Sequence, residues 1–193
     1  MNNLHRIFVA INLPENVRKS LAMIQDRYLD LPARWASPQS LHITLIFLGN
    51  ATDQETGDIC VSAAEIAKKH GPFDIEINQI VYGPPEKNPP RMVWATGPKS
   101  AELGSLQNDL KNAFYEFNGC GGDNTEHFAG PHITLARIPQ FEIKKMDPET
   151  VPQIKEQFDK IFMVETIEVM ESELRRGGPV YTVLESVRLG GDS

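Results

Sequence analysis

Cysteine, histidine and long apolar runs are all scarce in this sequence. Its 193 residues include 2 Cys and 5 His, and no stretch approaches the roughly 18 consecutive apolar residues of a membrane span. Cys60 lies in a helical pattern and Cys120 in a glycine-rich loop, which fits neither a metal-binding nor a redox spacing. The N-terminal stretch lacks the basic start and small-residue cleavage site of a secretory leader. We therefore expect a cytoplasmic protein that does not engage a membrane.

Basic residues are also in deficit. The chain has 19 Lys and Arg against 26 Asp and Glu, a formal net charge of −7. A protein that coats a nucleic-acid backbone needs a broad basic face, so this charge excludes that class and leaves room for a local pocket that binds one phosphate. The length fits a single domain over residues 1–193 with a substantial buried core, and we expect a monomer.

The tetrapeptide HITL occurs twice, although histidine is rare. His42 and His132 begin the two copies, and both copies lie in apolar, strand-like surroundings. On a strand, residues i and i+2 point to the same face. Each histidine therefore shares a face with the threonine two positions on, Thr44 or Thr134, whereas the residues between them face the core. A lone histidine in such a place is usually structural; a duplicated His–Thr pair indicates a site.

The order of predicted elements repeats as well. Residues 4–83 read strand, helix, HITL strand, helix, strand, and residues 91–174 give the same order before a closing strand at 181–189. We therefore predict an α+β fold of two pseudo-symmetric lobes, each an antiparallel sheet with helices on its outer face, which face each other across a central cleft.

Two details of this prediction concern the second repeat. The opening strands RIFVAI and RMVWAT share Arg and Ala at equal offsets when Arg6 is matched to Arg91. Before the long strand predicted at 162–174, the pattern indicates a short helix around 153–159. The three histidines outside the repeated motif, His5, His70 and His127, are expected at the surface.

Two imidazoles and two hydroxyls that converge across a cleft suit a phosphodiester. One neutral histidine can take a proton from the attacking nucleophile while the opposite, protonated histidine gives one to the leaving oxygen. The hydroxyls can donate to the non-bridging phosphate oxygens. A zinc site would need three or four ligands, and neither motif is followed by a second histidine or a cysteine at ligand spacing. A serine nucleophile has no G-x-S-x-G elbow here.

The paired motifs stand in an ordered context, with RIFVAINLP at the start, RWASPQSLHITLIFLGN, PPRMVWAT and PHITLARI in the middle and ESELRRGGPVYTVLESVRL at the end. Over essentially the whole chain this resembles the two-histidine (2H) phosphoesterase superfamily, and within it the RNA 2′,3′-cyclic phosphodiesterases, historically named 2′-5′ RNA ligases. The resemblance implies hydrolysis of 2′,3′-cyclic phosphates of RNA ends or nucleosides to 2′-phosphates, without metal or cofactor, and a weak reverse ligation.

The resemblance also implies residue roles. It makes His42 and His132 the acid–base pair, without saying which is which, and Thr44 and Thr134 the phosphate binders. The family often carries a basic residue near the phosphate where Arg137 stands here, and strict alternation would turn Arg137 away from His132 unless a bulge intervenes. Further candidates for base or substrate contacts or for the cleft mouth are Phe8, Tyr181, Arg175 and Arg176. A core position is the alternative for Phe8, and Trp35 belongs either to a lid or to the core.

One position departs from the family pattern. Many relatives have a basic residue four positions after the first histidine, where this chain has Ile46. On alternation Ile46 shares the face of His42, which predicts a less basic pocket and favours a mononucleotide or short substrate. Two other functions stay open on the sequence: a sister 2H enzyme acting on 2′-5′ oligoadenylate or ADP-ribose cyclic phosphate, and a nucleotide- or RNA-end-binding module without turnover.

Overall fold

The structure is a computed structural model that describes residues 4–85, 87–115, 130–176 and 178–191. His127 and nearly all of the glycine-rich stretch CGGDNTEHFAG lie outside the described residues. The strands are β1 His5–Asn12, β2 Arg34–Trp35, β3 His42–Ala51, β4 Phe73–Gly83, β5 Met92–Thr96, β6 His132–Arg137, β7 Lys155–Val164, β8 Thr166–Arg175 and β9 Gly178–Arg188. The α-helices are α1 Glu15–Ala22, α2 Asp53–Ala67, α3 Ala101–Ala113 and α4 Gln140–Ile143.

The strands form one antiparallel sheet made of two four-stranded halves. Their order is β7-β4-β5-β6 in one half and β3-β1-β8-β9 in the other. The halves meet where Ile43 of β3 pairs with Ile133 of β6. The short strand β2 pairs with the far end of β6. This order is symmetric about the β3–β6 junction, which places the two HITL strands side by side at the centre.

The last strand of each sequence repeat pairs within the half of the sheet that contains the HITL strand of the other repeat. Strand β4 closes the first repeat but pairs with β5 and β7. Strand β8 belongs to the second repeat but pairs with β1 and β9. The lobes of the structure are therefore interlocked, and each contains strands from both repeats.

The main core lies between the sheet and helices α2 and α3. It is built from the residues of each strand that alternate with the histidine face, such as Ile7, Val9 and Ile43, together with Ile59 and Leu106 from the helices. Helix α2 begins with a capping box between Thr52 and Glu55, and the side chain of Ser100 caps α3; such caps satisfy amide groups that the first helical turn leaves unpaired. Within the described ranges, no helix is long and apolar enough to cross a membrane.

The helix predicted around 153–159 is wrong, because residues 155–159 form the first half of strand β7. Phe158, Phe162 and Val164 are buried and lie on one side of a strand that completes an edge of the sheet beside β4. The long strand predicted at 162–174 is correspondingly divided between β7 and β8.

The match of Arg6 to Arg91 is also wrong by one residue. Asn12 pairs with His42 in one half, and Thr96 pairs with His132 in the other. Position 12 therefore corresponds to position 96, whereas the sequence match would pair it with position 97. The histidine strands set the register, and the shared Arg and Ala do not occupy equivalent places.

Candidate active site

His42 and His132 are the first residues of the two central strands. Because Ile43 pairs with Ile133 in an antiparallel ladder, His42 lies opposite Thr134 and His132 lies opposite Thr44. All four of these polar side chains are half-buried, whereas both isoleucines are in the core. The sheet therefore brings together the two histidines and two threonines that the sequence singled out, on the face opposite the helices.

The ring of His42 is held by its backbone and by aromatic neighbours. Its Nδ1 lies 2.7 Å from the carbonyl oxygen of Ser40; because a carbonyl only accepts, Nδ1 carries the proton and donates it. The centroid of Phe8 lies 5.1 Å from that of His42, and Tyr181 meets the imidazole edge-on at 5.1 Å. This arrangement fixes the tautomer and leaves Nε2 as the nitrogen that can exchange a proton with a substrate.

His132 has a different support. The indole ring of Trp94 lies 4.7 Å from its imidazole, centroid to centroid, at an interplanar angle of 34°. Trp94 occupies the space beside Gly83, where a Cβ atom would come within 2.2 Å of the indole. A residue without a side chain is therefore required at position 83 for Trp94 to pack against His132.

Both histidines are less basic than an ordinary imidazole. Burial lowers the pKa of His42, and the positive charge of Arg137 lowers it further, while the hydrogen bond to Ser40 opposes the change. Burial also lowers the pKa of His132, with a smaller contribution from the charge of His42. A positive charge on His42 therefore disfavours a proton on His132.

Two matching β-bulges set what else faces the cleft. On β6, Val93 pairs with Ala136 and Trp94 with Thr134, so Leu135 is the extra residue. On β3, Val9 pairs with Ile46 and Ala10 with Thr44, so Leu45 is the extra residue. Each bulge shifts the alternation by one position.

The bulge in β6 returns Arg137 to the face of His132. Its guanidinium lies within electrostatic reach of His42 and of Tyr181, since it lowers the pKa of both. The bulge in β3 has the opposite consequence for Ile46, which is 9% exposed and packs in the main core. The expectation that Ile46 shares the face of His42 is therefore wrong, and Phe47 occupies that face instead.

The aromatic candidates take separate places. Phe8 is 1% exposed and belongs to a small cluster with Ala10, Met170 and Tyr181 on the cleft face, so it backs His42 and presents no ring face to solvent. Tyr181 is half-buried, and burial raises the pKa of its hydroxyl while the charges of Arg137 and Arg6 oppose the change.

The remaining candidates have other surroundings. Arg175 is at the end of β8 and pairs with Glu173 at 2.6 Å. Arg176 follows it in the exposed turn. Trp35 packs against the main core. His5 and His70 lie at the surface and are half-buried. His5 bonds to Asp53 and Glu171, and His70 bonds to Asp109.

Trp94, Phe47 and Ser40 are site residues that the sequence interpretation missed. Phe47 could have been predicted from the sequence, because it lies five positions after His42, just as Arg137 lies five positions after His132. Trp94 required the register between β5 and β6. Ser40 contributes a backbone carbonyl, which carries no sequence signal.

Known proteins resemble this chain over nearly its whole length. The sequence matches the family model described as LigT like Phosphoesterase over residues 11–94 and 97–181. An RNA 2′,3′-cyclic phosphodiesterase of Thermus thermophilus is 31% identical over 97% of this chain and 91% of its own length. One of Aquifex aeolicus is 28% identical over 96% of this chain and 98% of its own.

Solved structures show the same fold. A crystal structure of a Thermus thermophilus protein superposes with a TM-score of 0.82 at 30% identity, covering 97% of this chain and all (100%) of that one. The crystal structure of E. coli LigT complexed with 3′-AMP gives a TM-score of 0.76 at 23% identity, covering 97% and 99%.

Proposed function

The chain belongs to the LigT-like phosphoesterase family, and from this premise we propose that it is an RNA 2′,3′-cyclic phosphodiesterase that yields 2′-phosphates. The observation that carries the proposal is the pairing of β3 with β6, because it gathers His42, Thr44, His132 and Thr134 on one face. The relatives named RNA 2′,3′-cyclic phosphodiesterase match nearly the whole chain, and the matched region includes both HITL strands.

The proposed reaction uses the two histidines as a proton-transfer pair. One neutral imidazole takes a proton from water, the water oxygen forms a bond to phosphorus, and the bond from phosphorus to the 3′ oxygen breaks. The opposite imidazolium gives its proton to that 3′ oxygen, so the proton count balances. Each transfer contributes on the order of 10²–10⁴ in rate.

The other polar groups hold the phosphate. The hydroxyls of Thr44 and Thr134 donate to non-bridging oxygens, and Arg137 supplies a positive charge from the side of β6. No step of this reaction requires a metal ion. A 5′-hydroxyl of a second RNA can take the place of water: its oxygen forms a bond to phosphorus, the bond from phosphorus to the 3′ oxygen breaks, and a 2′-5′ linkage results. The two histidines transfer the same protons as in hydrolysis, and we expect this ligation at a low rate. We further propose that the protein acts as a cytoplasmic monomer, which size-exclusion chromatography would test.

The experiment that tests the proposal identifies the product. The purified protein is incubated in EDTA with each nucleoside 2′,3′-cyclic phosphate, and the product is assigned by phosphorus NMR. Accumulation of the 2′-phosphate supports the activity, its regiochemistry and its independence of metal together. His42→Ala should be slower by about 10²–10⁴-fold, whereas His70→Ala, which replaces a half-buried histidine paired with Asp109, should remain as active as the parent. If the cyclic phosphates and an RNA ending in one stay intact with the parent protein, the proposal fails.

A further inference from the structure

Two arginines face each other across neighbouring strands at the edge of the site. Arg34 of β2 pairs directly with Arg137 of β6, and the next pair along is Trp35 with Ala136. Residues that pair across an antiparallel ladder point to the same face. Since Trp35 and Ala136 pack on the core side, Arg34 and Arg137 lie together on the side of the histidines.

This juxtaposition is unfavourable in the protein alone. Like charges directly opposite each other destabilise a sheet. Among the residues that the structure describes, neither Arg34 nor Arg137 has a carboxylate within ion-pair distance. Both side chains are exposed, so the charges are screened by water and remain available to an anion.

The position of β2 relates this pair to the reaction. Strand β6 pairs with β3 at Ile133 and, farther along, with β2 on the same side. From β2 the chain continues through Ser40 to His42. Arg137 reaches the His42 side of the cleft, whereas Arg34 lies one strand farther out. Neighbouring strands are about 4.8 Å apart. At this separation the two arginine side chains can bind two successive phosphates of one RNA strand, one phosphate per arginine.

We propose that Arg34 forms a second phosphate subsite beside Arg137 and binds the phosphate on the 5′ side of the terminal nucleoside. This inference rests on the proposed function and names the form of substrate that the site prefers. A guanidinium offers a planar fork of donors that matches a phosphate, and a bound phosphate would relieve the repulsion between the two arginines. The protein would therefore favour RNA ends, or nucleotides with a 5′-phosphate, over nucleoside cyclic phosphates.

This preference extends the substrate beyond the nucleoside cyclic phosphate, whereas the sequence favoured a mononucleotide or short substrate. The expectation of a mononucleotide substrate depended on Ile46 facing the cleft, and Ile46 packs in the core. A negative overall charge does not oppose a subsite made of two local cations, because charges beyond about 10 Å are largely screened at ordinary ionic strength.

The test compares two substrates that differ by one phosphate, adenosine 2′,3′-cyclic phosphate with and without a 5′-phosphate. The parent protein should show a higher kcat/KM for the 5′-phosphorylated form, and the preference should weaken as salt is added. Arg34→Gln should lower the ratio of the two kcat/KM values by about 10-fold, the scale of one charge-assisted hydrogen bond. Arg34→Lys should restore part of the ratio.

The matched control is Lys69→Gln, which removes one positive charge from the exposed surface just after helix α2, on the far side of the sheet; it should leave the ratio as in the parent. If the parent hydrolyses both substrates with equal kcat/KM, or if Arg34→Gln lowers both equally, the subsite is refuted while the proposed activity stands. If neither substrate is hydrolysed, the proposed activity itself fails.

Discussion

Ile43 lies directly opposite Ile133 at the junction of the two halves of the sheet. Neither side chain does chemistry, since both are buried in the core. Their pairing nevertheless decides which polar groups meet, because in an antiparallel ladder it brings the histidine of one motif towards the threonine of the other. A shift of the register by one residue would turn the side chains to the opposite face. The site therefore depends on an apolar contact between the repeats.

The first prediction concerns the two histidines as a unit. His42→Ala and His132→Ala should each lower kcat by about 10²–10⁴, the scale of a proton-transfer group. The double variant should be little slower than either single one, because a proton taken up on one side must be matched by one released on the other. Single-turnover rates on a cyclic nucleotide would measure this. Strictly additive losses would contradict a shared mechanism.

The second prediction concerns pH. In the protein without substrate the pKa of each histidine is lowered from its usual value near 6.5. The bell-shaped profile of kcat/KM should therefore be centred on the acidic side of pH 6.5 and fall as the pH rises, because the acid loses its proton. Arg137→Gln removes a charge that lowers the pKa of His42, so the limb governed by His42 should move to higher pH.

Arg137→Lys is the control for this shift, because it keeps the positive charge on β6. Both variants should lower the maximum of the profile, since each weakens the contact to the phosphate, but the limb should move for Arg137→Gln alone. NMR titration of His42 would report the same change without turnover. A limb that stays in place in Arg137→Gln would show that the charge at position 137 does not reach His42.

The pairing of His42 with Thr44 and of His132 with Thr134 was predictable because it depends on local alternation along a strand. Alternation alone did not give the positions of Ile46 and Arg137, since both depend on the bulges at Leu45 and Leu135. The family resemblance pointed to Arg137, on the condition that a bulge intervenes. A signal for those bulges is present in hindsight: Leu45–Ile46 and Leu135–Ala136 are consecutive apolar residues, which strict alternation does not accommodate. Sequence periodicity therefore assigns side chains to the correct face of each strand only up to its first bulge.

The sequence also did not predict that the lobes interlock or that residues 155–164 form strand β7. The repeat boundaries at 4–83 and 91–174 follow the order of elements, but they cannot say that β4 and β8 pair in the opposite halves, because partner choice is a long-range property. Residues 155–164 have mixed polar and apolar character and become a strand through pairing with β4. Tertiary context decides such segments.

The third prediction tests the support of His132. Gly83→Ala would place a Cβ atom about 2.2 Å from the indole of Trp94, so the ring must move away. We expect a loss of stability of about 1–3 kcal/mol from overpacking. Since a displacement of about 1 Å at a reacting group can cost about 10²-fold, kcat should fall as well. Thermal unfolding and steady-state kinetics measure the two effects.

Gly104→Ala is the control for Gly83→Ala. It lies inside helix α3, where an added Cβ would meet nothing within 4 Å. Alanine is favoured over glycine in a helix interior by about 1 kcal/mol, so this variant should be slightly more stable and fully active. An active, stable Gly83→Ala protein would show that the Trp94–His132 contact has no part in positioning the imidazole.

The fourth prediction separates two phenylalanines. Phe47 is 48% exposed on the cleft face, whereas Phe8 is 1% exposed. Phe47→Ala should leave stability nearly unchanged and weaken binding of a base by about 1–3 kcal/mol if a base stacks there. Phe8→Ala should destabilise the fold by about 3–5 kcal/mol. Phe141→Ala, at an exposed position on α4, is the control; an equal effect on KM in that variant would exclude a specific role for Phe47.

The fifth prediction concerns His5, which links three elements. Its Nδ1 lies 2.7 Å from Glu171 on β8 and its Nε2 lies 2.8 Å from Asp53 at the start of α2. The hydrogen bond to Glu171, followed by that to Asp53, raises the pKa of His5 above 6.5. A raised folded-state pKa contributes stability that is fully present below the unfolded value of about 6.5 and is lost as the pH rises through the folded value. His5→Gln should therefore lower the Tm more at pH 5.5 than well above pH 7, and Glu171→Gln should reproduce that difference. An equal loss of Tm at both pH values would mean that His5 acts by packing alone.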